Sequence, residues 1–201
     1  YSQIFKQAED DLRFYFQTLA RGKSVNPTLA REMVERGVFG NSQNMAVYSI
    51  RKLDTLENFL QSAAGKSERL IKLSNIAAYR NLFQTISDTF RKGFYSGRAK
   101  EAQRFVNIID DVANLGKKGF RGVVGRIQRG FTEKEVLDMK RFLDKMRMTS
   151  AFRIDPKLTP RQAEFKDAAD LLRSKLHENV QLKGLLNEER VFIQALDAII
   201  A

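Results

Sequence analysis

The chain has 201 residues, 35 of them lysine or arginine against 24 aspartate or glutamate, for a formal net charge of +11, with one histidine and no cysteine. Lacking cysteine, it can hold no disulfide, zinc finger or iron–sulfur cluster and has no thiol nucleophile. No apolar run approaches the roughly 18 to 20 residues of a membrane-spanning helix, so a soluble protein without an integral membrane segment is expected.

Apolar residues recur at helical spacing almost throughout, with prolines at three positions and glycines at boundaries. The expected fold class is all-α, a bundle of about seven or eight amphipathic helices, mostly antiparallel neighbours, with a Gly/Arg/Lys-rich loop in the middle and no strand. Composition divides the chain into an N-terminal helical part (1–93), a basic helix with a Gly-rich basic loop (94–131) and a C-terminal three-helix part (132–201), expected to form one continuous domain. The apolar ending Ala198-Ile199-Ile200-Ala201 reads as part of a longer polypeptide.

In order, the spacing predicts a helix from Ser2 to Arg21 with Phe5, Ala8, Leu12, Tyr15, Phe16 and Leu19 on one stripe. Asn26-Pro27 reads as a helix cap followed by a first helical position, where a missing N–H costs nothing; this short helix should end at Gly37. A longer helix from Ser42 to Gly65 should bury Met45, Tyr48, Leu53, Leu56, Phe59, Leu60 and Ala63. The next, capped by Ser67 and ending at Gly93, should bury Ile76, Tyr79, Leu82, Phe83, Ile86 and Phe90. Two long helices joined by a short turn predict an antiparallel αα-hairpin.

The basic segment follows. Between Arg91 and Arg129 stand ten basic residues (Arg91, Lys92, Arg98, Lys100, Arg104, Lys117, Lys118, Arg121, Arg126, Arg129) against Glu101, Asp110 and Asp111, a net of +7 out of +11. Its helix, from Gly97 to Leu115, sorts Ala102, Phe105, Val106, Ile109, Val112 and Ala113 to one side and Lys100, Arg104, Asn107 and Asp111 to the other. The five glycines from Gly116 to Gly130 then predict a loop, each costing a helix interior about 1 kcal/mol relative to alanine.

Thr132-Glu133-Lys134-Glu135 is a capping box, and its helix should bury Val136, Met139, Phe142, Leu143 and Met146. Thr159-Pro160-Arg161-Gln162 repeats the device, opening a helix with Phe165, Ala168, Ala169, Leu172, Leu176 and Val180 on its stripe and its end at Gly184. A last helix carries Leu185, Phe192, Ala195, Leu196 and Ile199. A basic residue, a glycine and soon an aromatic recur at Arg36-Gly37-Val38-Phe39, Lys92-Gly93-Phe94, Lys118-Gly119-Phe120 and Arg129-Gly130-Phe131. At the first two, the left-handed glycine cap of a Schellman motif is expected.

Catalytic signals are absent, and no enzyme activity, catalytic residue, cofactor or metal site is expected. His177 falls opposite the apolar stripe of its helix, as a solvated histidine would. Adjacent carboxylates at Asp10-Asp11, Asp110-Asp111 and Glu188-Glu189 point about 100° apart on a helix, so they do not converge on one substrate atom. The glycines at 116, 119, 122 and 125 lack the GK[ST] ending of a phosphate-binding loop.

The sharper expectation is a polyanion-binding surface made of Lys92, Arg98, Lys117, Lys118, Arg121, Arg126 and Arg129, with Phe120 and Phe131 within reach for stacking. The partner expected is nucleic acid, DNA or RNA, or an acidic protein surface, bound without base readout because no sequence-reading motif is present. The alternatives are a scaffold that packs against other parts of a parent protein or other subunits, or a peripheral membrane contact by Phe94, Tyr95 and Phe120. A cytoplasmic or virion setting fits either class.

Overall fold

A computed structural model describes residues 27–93, 95–114, 130–146 and 159–200. These are mostly helical, 83% in seven helices with 3% strand, as the all-α reading requires. The order is α1 (Pro27–Glu35), α2 (Ser42–Lys66), β1 (Leu70–Ile71), α3 (Ile76–Lys92), α4 (Ser96–Asn114), β2 (Phe131–Thr132), α5 (Glu133–Met146), α6 (Pro160–Leu176) and α7 (Val180–Ile200). None of these helices is long and apolar enough to cross a membrane. The helix expected over Ser2 to Arg21 and the glycine-rich loop lie outside the described residues.

Contacts divide the chain into two compact units, each assembled from separated stretches of sequence. In the unit holding residues 27–63 and 177–200, α1 packs on α7. Leu29, Ala30, Met33, Val38 and Met45 meet Val191, Phe192, Ala195 and Ala198 there. Pro27 occupies the first helical position, as its missing N–H favours. At the other end of α1, Gly37 takes a φ of +76°. The Val38 N–H donates to the Met33 carbonyl at 2.9 Å and the Gly37 N–H to the Val34 carbonyl at 2.9 Å. These are the two bonds of a Schellman cap, and Val38 folds into the core beside Met33. Asn41 caps α2, its Oδ1 accepting the Asn44 N–H at 2.8 Å.

Three expectations on this side are corrected. Phe59 is 57% exposed: it stands about 100° around the helix from Leu60 and about 140° from Ala64, the residues this end of α2 buries. The last helix begins at Val180, not after Gly184, because Asn179 Oδ1 caps it by accepting the Gln181 N–H at 3.0 Å and the Leu182 N–H at 3.4 Å. Val180 is therefore 85% exposed, and Gly184 lies inside the helix. His177 falls in the turn before α7, half-buried and not fully solvated.

The second unit holds residues 64–93, 95–114, 130–146 and 161–176. Here α3 and α4 form an antiparallel hairpin. Arg80 near its open end forks onto Asp110, at 2.7 and 3.1 Å, and Ser87 donates to the Ala99 carbonyl at 3.2 Å near the closed end. Phe83, Phe105 and Phe142 form a mutual ring cluster with centroids 5.1, 5.8 and 5.4 Å apart. That cluster ties α3, α4 and α5 into one core.

The long helix expected from Ser67 is shortened to start at Ile76, and the stretch ahead of it contains a strand that periodicity did not suggest. β1 pairs antiparallel with β2, Leu70 against Thr132 and Ile71 against Phe131. Two residues are too few for an alternating pattern to show. What fixes the pair is burial of Ile71 and Phe131 and the close approach of Gly130, where a Cβ would lie 2.8 Å from the Ile71 carbonyl oxygen. The capping box then opens α5: the Thr132 N–H donates to Glu135 at 2.8 Å, and the Glu135 N–H donates to the Thr132 hydroxyl at 3.2 Å. Val136, Met139, Phe142, Leu143 and Met146 are all buried. So are Glu133, bound by Arg69 at 3.0 Å, and Lys140, bound to Asp144 at 3.0 Å.

Candidate polyanion-binding surface

Basic residues at the end of a helix meet its exposed carbonyls, which favour them. Arg91 and Lys92 are the last residues of α3, and both are exposed. The chain then turns through Gly93 and Tyr95: the Gly93 N–H donates to the Thr89 carbonyl at 3.2 Å and the Tyr95 N–H to the Phe90 carbonyl at 3.0 Å. Gly93 has φ −94°, so this turn lacks the left-handed glycine expected from its basic-glycine-aromatic sequence. The turn returns the chain within three residues, and α4 starts beside the helix it left.

That return sets Arg98, in the first turn of α4, over Phe90 with its guanidinium carbon 5.6 Å from the ring centre. Arg91 Nη2 donates to Gln103 at 3.2 Å. A cation from far along the chain joins them: Arg161, in the first turn of α6, donates from Nη2 to the Thr89 hydroxyl at 2.9 Å. Arg91, Lys92, Arg98 and Arg161 thus gather around the last turn of α3. The acidic residue nearest in sequence, Asp88, accepts from Gln84 at 3.0 Å.

Five arginines elsewhere meet carboxylates. Arg36 pairs with Glu188, Arg69 with Glu133, Arg80 with Asp110, Arg173 with Asp170 and Arg190 with Glu32. The Arg80 guanidinium is held protonated above its ordinary range chiefly by its hydrogen bond to Asp110. Asp110, one of the three acids of the basic segment, is therefore offset from outside that segment. Among the described residues no carboxylate pairs with Lys92, Arg98 or Lys100.

No family model, curated protein or solved structure matches this chain. Its chemistry is read from its own residues.

Of the surface expected from sequence, Lys92 and Arg98 come together at this corner. Lys117, Lys118, Arg121, Arg126, Arg129 and Phe120 lie outside the described residues. Phe131 is 1% exposed, in β2, so its ring fills the protein interior and is not open for stacking. Lys100 is exposed about 200° around α4 from Arg98, and Arg104 sits 3.8 Å from Asp138. Asn114, where the described part of α4 ends, is about 27 Å from Ser96 at 1.5 Å per residue. Over the described residues 91–93 and 95–114 the cations thus do not form one patch: Arg91, Lys92 and Arg98 mark the closed end of the hairpin, while Lys100 and Arg104 stand elsewhere on α4.

Arg161 could not be found from sequence. Its local signal, the capping stretch from Thr159 to Gln162, reports only a helix start, and its proximity to Thr89 exists only in the folded unit. Tyr95 was legible as an exposed aromatic but not as part of this corner. It is 64% exposed and meets Phe90 edge-on, with centroids 5.9 Å apart at 88°.

Proposed function

We propose that the chain is a non-enzymatic helical-bundle module of a larger protein or assembly, and that it contacts nucleic acid or another polyanion through Arg91 to Arg129 without sequence specificity. The observation that carries the reading is that Lys92, Arg98 and Lys100 are exposed and have no carboxylate partner among the described residues, whereas five arginines elsewhere are paired with carboxylates. Exposed cations without internal counter-ions attract phosphates, and their binding releases condensed counter-ions into solution.

The test is fluorescence anisotropy with a labelled duplex across a salt series. If about five cations meet phosphates, log affinity falls against log salt with a slope of about −4 to −5. Lys118→Glu combined with Arg121→Glu and Arg126→Glu should flatten that slope. No binding at low salt, or a slope indifferent to these changes, overturns the reading.

A second reading, a scaffold with a protein partner, is favoured by Val47 and Ile50, exposed one turn apart on α2. Light scattering on the chain separates it: self-association that is abolished by Val47→Ser with Ile50→Ser supports it, and a monomer counts against it. A cytoplasmic or virion setting belongs with either proposal.

A further inference from the structure

We infer that the closed end of the α3–α4 hairpin is a site for single-stranded nucleic acid, where Arg91, Lys92, Arg98 and Arg161 hold phosphates and Tyr95 stacks on a base. The inference rests on the polyanion reading above and narrows it to one corner and one strand state.

Charge comes first. The four cations surround a single helical turn, Thr89 to Lys92, two of them on that turn, Arg98 over Phe90 and Arg161 at Thr89. Like charges at this density repel one another and would be avoided unless offset, yet none of the four has a carboxylate partner among the described residues. Three are guanidinium groups, whose planar fork matches two oxygens of one phosphate.

The aromatic decides the strand state. Tyr95 has a fixed neighbour: its ring meets Phe90 at 88° with centroids 5.9 Å apart, which leaves most of the side chain open. A ring with such a neighbour loses less freedom than a solitary one when a base covers its open face. In a duplex both faces of every internal base are occupied by its neighbours, so an exposed ring adds nothing. A single strand offers open faces, and stacking on aromatic rings is how such strands are held without base readout. A lipid surface, the alternative that also uses Phe94 and Phe120, draws on two residues that lie outside the described ones, and vesicle binding tests it directly.

The experiment uses the whole chain with a fluorescein-labelled oligodeoxythymidylate of about 12 nucleotides, within the range of site sizes such proteins cover, and a hairpin duplex of the same charge. Tyr95→Ala should weaken oligonucleotide binding about tenfold and leave duplex binding within twofold, while Tyr95→Phe, which keeps the ring, stays near wild type. Arg161→Gln should make the oligonucleotide salt slope shallower by about 0.7, one phosphate on a single strand. Far-UV circular dichroism confirms that each variant folds. Equal binding of both probes with no response to Tyr95 overturns this inference and leaves the polyanion reading standing. Failure to bind either probe at low salt overturns both. Binding to phosphatidylserine vesicles with no oligonucleotide binding overturns it in favour of a lipid surface.

Discussion

Arg161 donates to the Thr89 hydroxyl at 2.9 Å, joining positions 72 residues apart in the chain. Arg161 is placed by the start of one helix and Thr89 by the end of another, so the bond exists only once α3 and α6 are packed in the same unit. The positive corner is therefore a product of folding as much as of composition. The charge run in the sequence supplies Arg91, Lys92 and Arg98; the tertiary structure adds the fourth cation.

Two glycines should respond to alanine with opposite signs. At Gly130 a Cβ would lie 2.8 Å from the Ile71 carbonyl oxygen and 3.1 Å from the Leu70 Cβ, both in a strand fixed by pairing to β2. Gly130→Ala should destabilise the protein by about 1–3 kcal/mol, since backbone must move. At Gly184, inside α7, nothing lies within 4 Å of the added atom. Gly184→Ala should stabilise by about 0.5–1 kcal/mol by reducing the freedom of the unfolded chain and the helix cost of glycine. Urea unfolding of the two variants beside wild type measures both, and a shift of the same sign for the two would contradict this account.

The ion pair between Arg36 and Glu188 should contribute to stability with no pH dependence of its own near neutrality. Nε donates at 2.8 Å and Nη2 at 2.7 Å to the two carboxylate oxygens. The Glu188 hydrogen bond raises the Arg36 pKa, and the nearby charges of Glu32 and Glu35 raise it further, against the opposing effect of burial. A cation whose pKa is raised by folding contributes below its unfolded value and loses that contribution only as pH climbs through the folded one. Arginine titrates far above neutrality, so the contribution is constant from pH 6 to 9. Arg36→Leu should cost about 1 kcal/mol, discounted because Glu188 is partly solvated. Thermal unfolding at several pH values in that window should give parallel curves for variant and wild type.

Much of the fold was legible in the sequence where local signals were strong. The Thr132–Glu135 box and the Gly37 cap each rest on bonds within a few residues, and each formed as read. Helix faces such as Ala102, Phe105, Val106 and Ile109 followed from spacing because one side of the helix is buried and the other is not. The failures share a cause. β1, the break at Asn179 and the exposure of Phe59 are decided by packing partners distant in sequence, and a lone glycine such as Gly184 or Gly93 says nothing about which partner is present. In the candidate site, Lys92 and Arg98 were visible as charge, whereas the interior position of Phe131 and the arrival of Arg161 depended on strand pairing and on α6.

The buried pair Lys140–Asp144 should separate the cost of breaking a buried charge pair from the value of having one. Lys140 is 3% exposed, with its Nζ 3.0 Å from Asp144. Asp144→Ala removes a counter-charge from a buried ammonium and should cost about 3 kcal/mol or more. Lys140→Met with Asp144→Leu removes both charges at similar volume and should fall within about 1 kcal/mol of wild type or exceed it. Arg173, 3.9 Å from Asp144, retains Asp170 at 2.7 Å in either variant. Equal losses for the single and double variants in urea unfolding would show that the ion pair itself, rather than its satisfaction, holds this part of the core.

Tyr79 should be a late-titrating phenol and an alkaline liability. It is buried in α3, and burial raises its pKa because the phenolate would have to form away from water. A group whose neutral form is favoured by folding contributes fully below its unfolded pKa, near 10. The contribution is lost as pH rises from there through the higher folded value. Absorbance at 295 nm through an alkaline titration should show an earlier phase and a separate later phase. Tyr79→Phe should delete that later phase and make stability above pH 10 less dependent on pH. A titration in which Tyr79→Phe removes signal from the earlier phase instead would mean that this ring is open to solvent and that the hairpin is not packed around it.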